Sequence, residues 1–146
     1  MEDWQEYDEI ITTPLTFVST NHSILYENLR PVFADVDEYL CMDPSSLESR
    51  ISDRTRAVMY VGLGGNTGRL EEVSKICRDN DLRLILDAAH MAGTYVNSEK
   101  INHVGKEADI SVFSFQAVKN LPTADSGIIC FKKPEYLALA KKLTWL

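Results

Sequence analysis

Four polar side chains lie at or just beyond the ends of two short apolar segments of the sequence: Asp87, His90, Ser114 and Lys119. Residues 82–86 and 110–115 are near-continuous apolar runs, which is typical of parallel strands buried on both faces of a sheet. Because ligands in open α/β sheets bind beyond the carboxyl ends of such strands, we expect the four side chains to converge there. A carboxylate, an imidazole, a hydroxyl and an amine together suit an anionic cofactor that contains nitrogen.

Three segments resemble the DegT/DnrJ/StrS family of sugar aminotransferases, in the same order and spacing. They are residues 12–21 (TTPLTFVSTN), 86–90 (LDAAH) and 113–121 (FSFQAVKNL). Members of that family are fold-type I enzymes that use pyridoxal phosphate (PLP), and the resemblance runs from about Asp8 to the C-terminus. It implies part of a fold-type I large domain, an α/β fold with a mostly parallel sheet of about six strands and helices on both faces.

The resemblance gives the catalytic role to Lys119, which would bind the PLP aldehyde covalently and move protons as a general acid and base. An amine condenses with an aldehyde only when it is neutral, so the site must favour that form. Asp87 would pair with the protonated pyridine nitrogen and keep the ring an electron sink. Without the resemblance, Lys119 would be a solvated loop lysine and Asp87 an acidic helix cap.

Three further residues would contact the cofactor according to the same resemblance: Phe17, His90 and Ser114. Phe17 falls where the family places an aromatic ring that stacks on the pyridine, an arrangement worth about 0.5–1.5 kcal/mol. His90 would lie near the ring, at its 3-hydroxyl, and Ser114 would donate to the phosphate. The alternatives are a core phenylalanine, a structural histidine and a serine bonded only to backbone.

The sequence departs from the family pattern in two loops. After Lys119 the family usually has NLTTGEGG, whereas residues 120–127 here are NLPTADSG. A glycine with positive φ is not freely replaced by alanine, so Ala124 indicates a different turn. Residues 62–68 (GLGGNTG) begin with glycine where the family often has histidine. They lack the spacing of a dinucleotide-binding loop, and we interpret them as a turn at the sheet edge.

The elements that must position these residues alternate as strands and helices, which predicts a mainly parallel sheet with right-handed crossovers. We expect strands near residues 9–13, 31–36, 56–61, 82–87, 110–115 and 127–131. We expect helices over residues 15–28, from Pro44 with Asp43 as its cap, along 70–77, and from Pro134 to near Leu146. In the family the last strand is antiparallel to the others, and here it would be an exposed edge.

Composition and charge argue against several classes of protein. The 146 residues suit one domain, and 45% apolar residues are enough to build its core. A net charge of −7 argues against nonspecific nucleic-acid binding, and no apolar run approaches the ~20 residues of a membrane span. Cys41, Cys77 and Cys130 show no metal-ligand spacing, so we predict no metal site and reduced thiols in the cytoplasm.

By resemblance, the function is transfer of an amino group, usually from glutamate, to a keto group on a nucleotide-linked sugar. The product would serve cell-surface polysaccharide or amino-sugar biosynthesis, and a homodimer would complete each active site. One alternative is a related PLP-dependent sugar dehydratase, against which Lys119 argues because those relatives have histidine there. The other alternative is a catalytically inactive fragment.

Family members are much longer, so we expect residues 1–146 to be a truncated large domain. The resemblance places a phosphate-binding loop and a helix N-terminus before the segment matched by residues 8–14, and a smaller domain after residue 146. Nothing in residues 1–7 could replace that loop. We therefore expect the chain alone to stay below rates normal for an enzyme, ~1 s⁻¹ or more, in a coupled transamination assay.

Overall fold

The computed structural model describes residues 4–95 and 103–144, which form a six-stranded sheet packed against helices. The strands are β1 (Glu9–Thr12), β2 (Arg30–Phe33), β3 (Thr55–Val61), β4 (Arg83–Asp87), β5 (Ile110–Ser114) and β6 (Gly127–Phe131). The α-helices are α1 (Val18–Tyr26), α2 (Pro44–Arg50), α3 (Leu70–Asp79) and α4 (Tyr136–Leu143). Short 3₁₀ turns at Leu63–Gly65 and Val104–Glu107 were not expected from the sequence.

The order of strands across the sheet is β2-β1-β3-β4-β5-β6, and every neighbouring pair is parallel except β5 and β6. The predicted α/β class, the mostly parallel sheet and the antiparallel last strand are therefore confirmed. Within the described residues β6 pairs only with β5, which makes it an edge strand. Its Ile128 and Ile129 side chains are 51% and 42% exposed, so this edge is also apolar.

Alternating side chains of the central strands pack on opposite faces of the sheet, as the period of a strand requires. On one face, Tyr60 and Leu84 belong to a large core cluster that includes Val73 of α3. On the other face, Ile10 packs with Ile24 of α1 in a much smaller cluster. Helices thus contribute to both faces, but the two faces are covered unequally.

The predicted strand over residues 31–36 is too long at its carboxyl end, because β2 ends at Phe33. The Asp35 N–H donates to the Ser46 hydroxyl at 2.9 Å, and Val36 pairs with Met42 in an isolated antiparallel bridge. These contacts turn the chain away from the sheet before the apolar run is complete.

The predicted helix over residues 15–28 is shorter in the structure. The Thr13 hydroxyl accepts the Leu15 N–H at 3.2 Å, and Phe17 has extended backbone angles (φ −68°, ψ 141°), so α1 begins only at Val18. At the other end Asn28 takes a left-handed conformation (φ 56°), which cannot continue a helix.

The other helices begin and end as follows. Helix α2 starts at Pro44 as predicted, and the Asp43 carboxylate caps it by accepting the Ser45 N–H at 3.1 Å. In α3 the four expected apolar positions, Leu70, Val73, Ile76 and Cys77, are all buried. The helix predicted from Pro134 to Leu146 begins only at Tyr136 and ends at Leu143, where Thr144 is extended; residues 145–146 lie outside the described part.

The three cysteines are free, with Cys41 and Cys77 buried and Cys130 exposed. Burial raises the pKa of the Cys41 thiol and raises that of Cys77 to about 12, so both stay protonated at neutral pH. In the described part of the chain, no group of three or more histidine, cysteine or acidic side chains is placed to hold a metal ion. Likewise, no helix there has the length and apolar character needed to cross a membrane.

Asp8 anchors the start of β1, and its interactions predict a pH dependence of stability. Its carboxylate accepts the Gln5 N–H and the Arg56 Nε–H, both at 2.8 Å. The Gln5 hydrogen bond, followed by the Arg56 interaction, holds the pKa of Asp8 below its usual value. A carboxylate with a lowered folded pKa stabilises the protein above its unfolded pKa of about 4, and this stabilisation is lost as the pH falls through the folded pKa.

We therefore expect Asp8→Asn to lower the melting temperature at neutral pH. The difference in melting temperature from the wild type should narrow as the pH falls from about 4 towards the lowered folded pKa, because the unfolded wild-type chain takes up a proton at Asp8 first and the ionic stabilisation is lost. Calorimetry over a pH series measures both effects. A gap that stays constant down to pH ~2.5 would contradict an ionic contribution from Asp8.

Candidate active site

A cavity of about 1060 Å³ lies on one face of the sheet, over the carboxyl ends of its central strands. Its floor consists of alternate residues of β3, β4 and β5: Met59, Val61, Ile85, Asp87, Val112 and Ser114. The strand register places Asp87 between Val61 and Val112, so one carboxylate sits in an otherwise apolar row. The cavity is large enough for a cofactor-sized ligand, since such sites usually measure about 300–1,000 Å³.

Helix α1 and the turn before it form one wall of the cavity. This wall carries four hydroxyl side chains: Thr16, Ser19, Thr20 and Ser23. Phe17 occupies the N-cap position of α1 and lines the rim of the cavity. Its side chain is 72% exposed, so it is not a core phenylalanine. The wall is therefore polar, whereas the floor is mostly apolar. The Phe17 ring lies at the rim of the cavity on the same side as the wall.

Asp87 is the last residue of β4 and is held by two hydrogen bonds. Thr20 Oγ1 donates to Asp87 Oδ2 at 2.6 Å, and the Ala89 N–H donates to Oδ1 at 3.1 Å. No helix begins at this point, so the helix-cap alternative for Asp87 does not apply. Each carboxylate oxygen keeps lone pairs for a further donor.

His90 lies in the loop after β4 and lines the cavity. Its Nδ1 accepts the Gly64 N–H at 3.2 Å, which leaves Nε2 as the protonated nitrogen of the neutral ring. This bond connects the loop after β4 to the glycine-rich loop after β3. Gly64 has a left-handed conformation (φ 63°), so a glycine at this position suits the bond to His90.

Ser114 and Lys119 reach the cavity from the end of β5 and the loop that follows. The Ser114 hydroxyl accepts the Gln116 N–H at 3.3 Å, and among the described residues no acceptor takes its own proton, which is therefore available to an anion. Lys119 is half-buried and its N–H closes a turn onto the Gln116 carbonyl at 2.8 Å. Among the described residues no carboxylate forms an ion pair with the Lys119 amine.

All five residues singled out in the sequence line this one cavity: Phe17, Asp87, His90, Ser114 and Lys119. Among the described lining residues, Asp87 is the one carboxylate and Lys119 the one lysine or arginine. The arrangement offers an acceptor for a cationic nitrogen, a hydroxyl donor for an anion and an amine for covalent chemistry.

Two supporting residues were missed by the sequence reasoning. Asn120 Nδ2 donates to the Ala92 carbonyl at 2.8 Å, which ties the loop of Lys119 to the loop of His90. Thr20, on α1, bonds to Asp87 across 67 positions of the chain. The partner of Asn120 also depends on the tertiary fold. The only signal for Thr20 in the sequence was its spacing of four residues from Thr16, which would place the two hydroxyl groups close together on a helical turn.

The Met91 side chain fills the space next to Gly62, beside the cavity. A Cβ atom on Gly62 would lie 2.0 Å from the Met91 sulfur, and Met91 is fully buried. Position 62 therefore accepts a side chain only if Met91 moves. The Gly62 N–H also donates to the Asp87 carbonyl at 3.2 Å, so this close approach joins the ends of β3 and β4.

The loop after Lys119 contains a strained alanine. Ala124 has a φ of 76°, a left-handed conformation that favours glycine, so the alanine has not removed positive φ from this turn. Three residues later, a Cβ on Gly127 would lie 2.8 Å from the Phe113 carbonyl oxygen. The loop thus tolerates an alanine under strain at position 124, whereas the first residue of β6 must be glycine.

The fold and the cavity together define an open α/β protein whose ligand site lies at the carboxyl ends of parallel strands. The model of the DegT/DnrJ/EryC1/StrS aminotransferase family matches residues 2–145. The chain belongs to this family.

Individual relatives agree with this assignment. The chain is 37% identical over 122 residues to a UDP-4-amino-4,6-dideoxy-N-acetyl-beta-L-altrosamine transaminase from Helicobacter pylori, covering 84% of this chain and 32% of that protein. PseC from Helicobacter pylori, an aminotransferase involved in the biosynthesis of pseudoaminic acid, has a TM-score of 0.88 and 34% identity, covering 97% of this chain and 37% of its own.

A further solved structure bears on the cofactor. NtdA from Bacillus subtilis, with bound cofactor PMP, has a TM-score of 0.81 and 26% identity, covering 91% of this chain and 29% of that chain. The chain spans about a third of the length of the curated relatives it matches.

We expect Ala124→Gly to stabilise the protein by about 0.5–1 kcal/mol, because glycine adopts a left-handed conformation without steric cost. Chemical denaturation of the variant and the wild type measures the difference. Gly127→Ala is the matched control and should destabilise, since its Cβ would meet the Phe113 carbonyl. A destabilising Ala124→Gly change would show that the turn is not strained.

Proposed function

We propose that this chain is part of a PLP-dependent aminotransferase that transfers an amino group, from glutamate, to the keto group of a nucleotide-linked sugar. The observation that carries the proposal is the single cavity lined by Asp87, Ser114 and Lys119, with Phe17 at its rim. Membership of the family supports the reaction class. The name of the Helicobacter pylori relative supports a UDP-linked sugar as substrate.

The side chains present suit PLP in shape and in charge. An aromatic ring would lie over the apolar floor that Ile85 and Val112 contribute, with its nitrogen toward Asp87. Ser114 has a free proton for the phosphate, and Lys119 has the amine that an aldehyde requires. PMP, which the NtdA structure contains, is the amino form of the same cofactor. When bound, PLP would supply an electron sink during the transfer of the amino group.

Within this proposal each residue has a defined task. The Asp87 carboxylate would accept a hydrogen bond from the protonated ring nitrogen, and Phe17 would cover the ring from the α1 side. Ser114 would donate to the phosphate, and His90 would contact the 3-hydroxyl. The Lys119 amine would hold the cofactor through its aldehyde and would serve as the general base and acid for the proton of the reacting carbon. The lysine also makes a dehydratase the less favoured activity.

The proposal includes a homodimer in the cytoplasm. Four apolar side chains around α1 and the cavity rim are more than half exposed: Phe17, Val18, Leu25 and Tyr26. Clustered exposed apolar residues are a usual feature of surfaces that another chain covers. A partner subunit seated there would lie next to the cavity, and the buried thiols of Cys41 and Cys77 are compatible with a reducing compartment.

Borohydride trapping tests the proposed cofactor role of Lys119. We expect purified protein mixed with PLP to develop the absorbance of covalently bound cofactor, and reduction followed by peptide mass spectrometry to find the label on Lys119. The reason is that Lys119 is the one lysine among the described residues that line the cavity.

The matched control is Lys119→Arg, which keeps the positive charge but cannot attach an aldehyde. This variant should lose the labelled peptide, whereas Lys132→Arg, on the loop after β6, should retain it. Label spread evenly over surface lysines, or unchanged in Lys119→Arg, would exclude Lys119 as the attachment point.

A further inference from the structure

Thr20 makes the shortest side-chain contact to Asp87 and is itself buried. It is 5% exposed, and its hydroxyl lies 2.6 Å from Asp87 Oδ2. The Ala89 N–H occupies the other carboxylate oxygen, Oδ1, at 3.1 Å. The two donors come from different elements, α1 and the loop after β4, so together they determine how the carboxylate is turned.

The direction of these hydrogen bonds follows from the chemistry of the groups. A carboxylate only accepts hydrogen bonds, so the single hydroxyl proton of Thr20 is donated to Asp87. Thr16 Oγ1 lies 2.8 Å from Thr20 Oγ1, and Thr16 must then be the donor in that pair. The chain Thr16–Thr20–Asp87 therefore runs in one direction, and each donor strengthens the next.

Helix α1 is itself attached to the sheet, which keeps Thr20 in place. Thr12, at the end of β1, donates its hydroxyl to Asn21 Oδ1 at 3.0 Å. Asn21 Nδ2 donates in turn to the Thr13 carbonyl at 3.2 Å. Asn21, the residue after Thr20, is thus bound to the end of β1. This attachment fixes the position of the Thr20 hydroxyl relative to the sheet.

We infer that Thr20 is a positioning residue: it holds the Asp87 carboxylate with its unused lone pairs toward the cavity, where the ring nitrogen of PLP would bind. The inference rests on the proposed function, because it concerns the orientation of the Asp87 carboxylate relative to the ring nitrogen of PLP. With the hydroxyl removed, the Ala89 N–H is the one donor that the described residues still offer to the Asp87 carboxylate, which is then free to rotate about its terminal torsion angle. The carboxylate would then stabilise a protonated ring nitrogen less well.

Thr20→Val removes the hydroxyl at nearly constant shape, and Thr20→Ser keeps it. We expect Thr20→Val to weaken PLP binding about tenfold, as for the loss of a hydrogen bond to a charged group, and Thr20→Ser to stay within about twofold of wild type. The protonation transition of the ring nitrogen, followed by ¹⁵N NMR of bound ¹⁵N-labelled PLP, should move to lower pH in Thr20→Val, because the ring nitrogen loses its proton more easily. A purely structural role would not move this transition.

Equal affinity and an unchanged pH transition in Thr20→Val, with wild type binding PLP, would overturn the inference and leave the proposed function intact. Failure of the wild type to bind PLP would instead remove the proposed function and the cofactor part of the inference. In that case, the interaction between Thr20 and Asp87 is tested by comparing the melting temperatures of Thr20→Val, Asp87→Ala and the double variant. We expect Thr20→Val to have a smaller effect in the Asp87→Ala background, and an equal effect in both would exclude the pairing.

Discussion

The parallel pairing of β4 with its two neighbours is the constraint on which the site depends. The register places Asp87 beside Val61 on one side and Val112 on the other, so all three side chains face the cavity. Because the side-chain period of a strand is two, a slip of one residue would move Asp87 to the opposite face. The position of the carboxylate is therefore decided by the burial of the apolar residues around it.

Burial on the opposite face enforces that register. Leu84 and Leu86 of β4 are almost completely buried in the large cluster beneath α3, and a slip would expose them. The cavity face has only a small cluster, around Ile10 and Ile24. One face of the sheet thus supplies most of the packing, while the other leaves room for a ligand and for the hydroxyl groups of α1.

The strands were accessible from the sequence because they depend on local patterns. Apolar runs predicted the six strands, and the motifs around Asp87 and Lys119 predicted residues that line one cavity. The predicted carboxyl end of β2 and the predicted start of α1 were wrong. At each of these points a single side-chain hydroxyl, that of Ser46 or of Thr13, accepts a backbone N–H.

What the sequence did not show depends on contacts between distant segments. The bond from Thr20 to Asp87 joins α1 to β4, and neither segment contains a sign of its partner. The same holds for Asn120, which reaches the carbonyl of Ala92 in another loop. The left-handed Ala124 runs against the usual preference for glycine, so residue type alone predicts the opposite.

The central claim is that the cavity over β3, β4 and β5 binds PLP, and a crystal structure of the protein grown with PLP tests it most directly. We predict electron density for the ring over the floor of the cavity, continuous with Lys119, with the ring nitrogen beside Asp87 and the phosphate beside Ser114. Density for PLP on a lysine outside the cavity, with the cavity holding only solvent, would contradict the account.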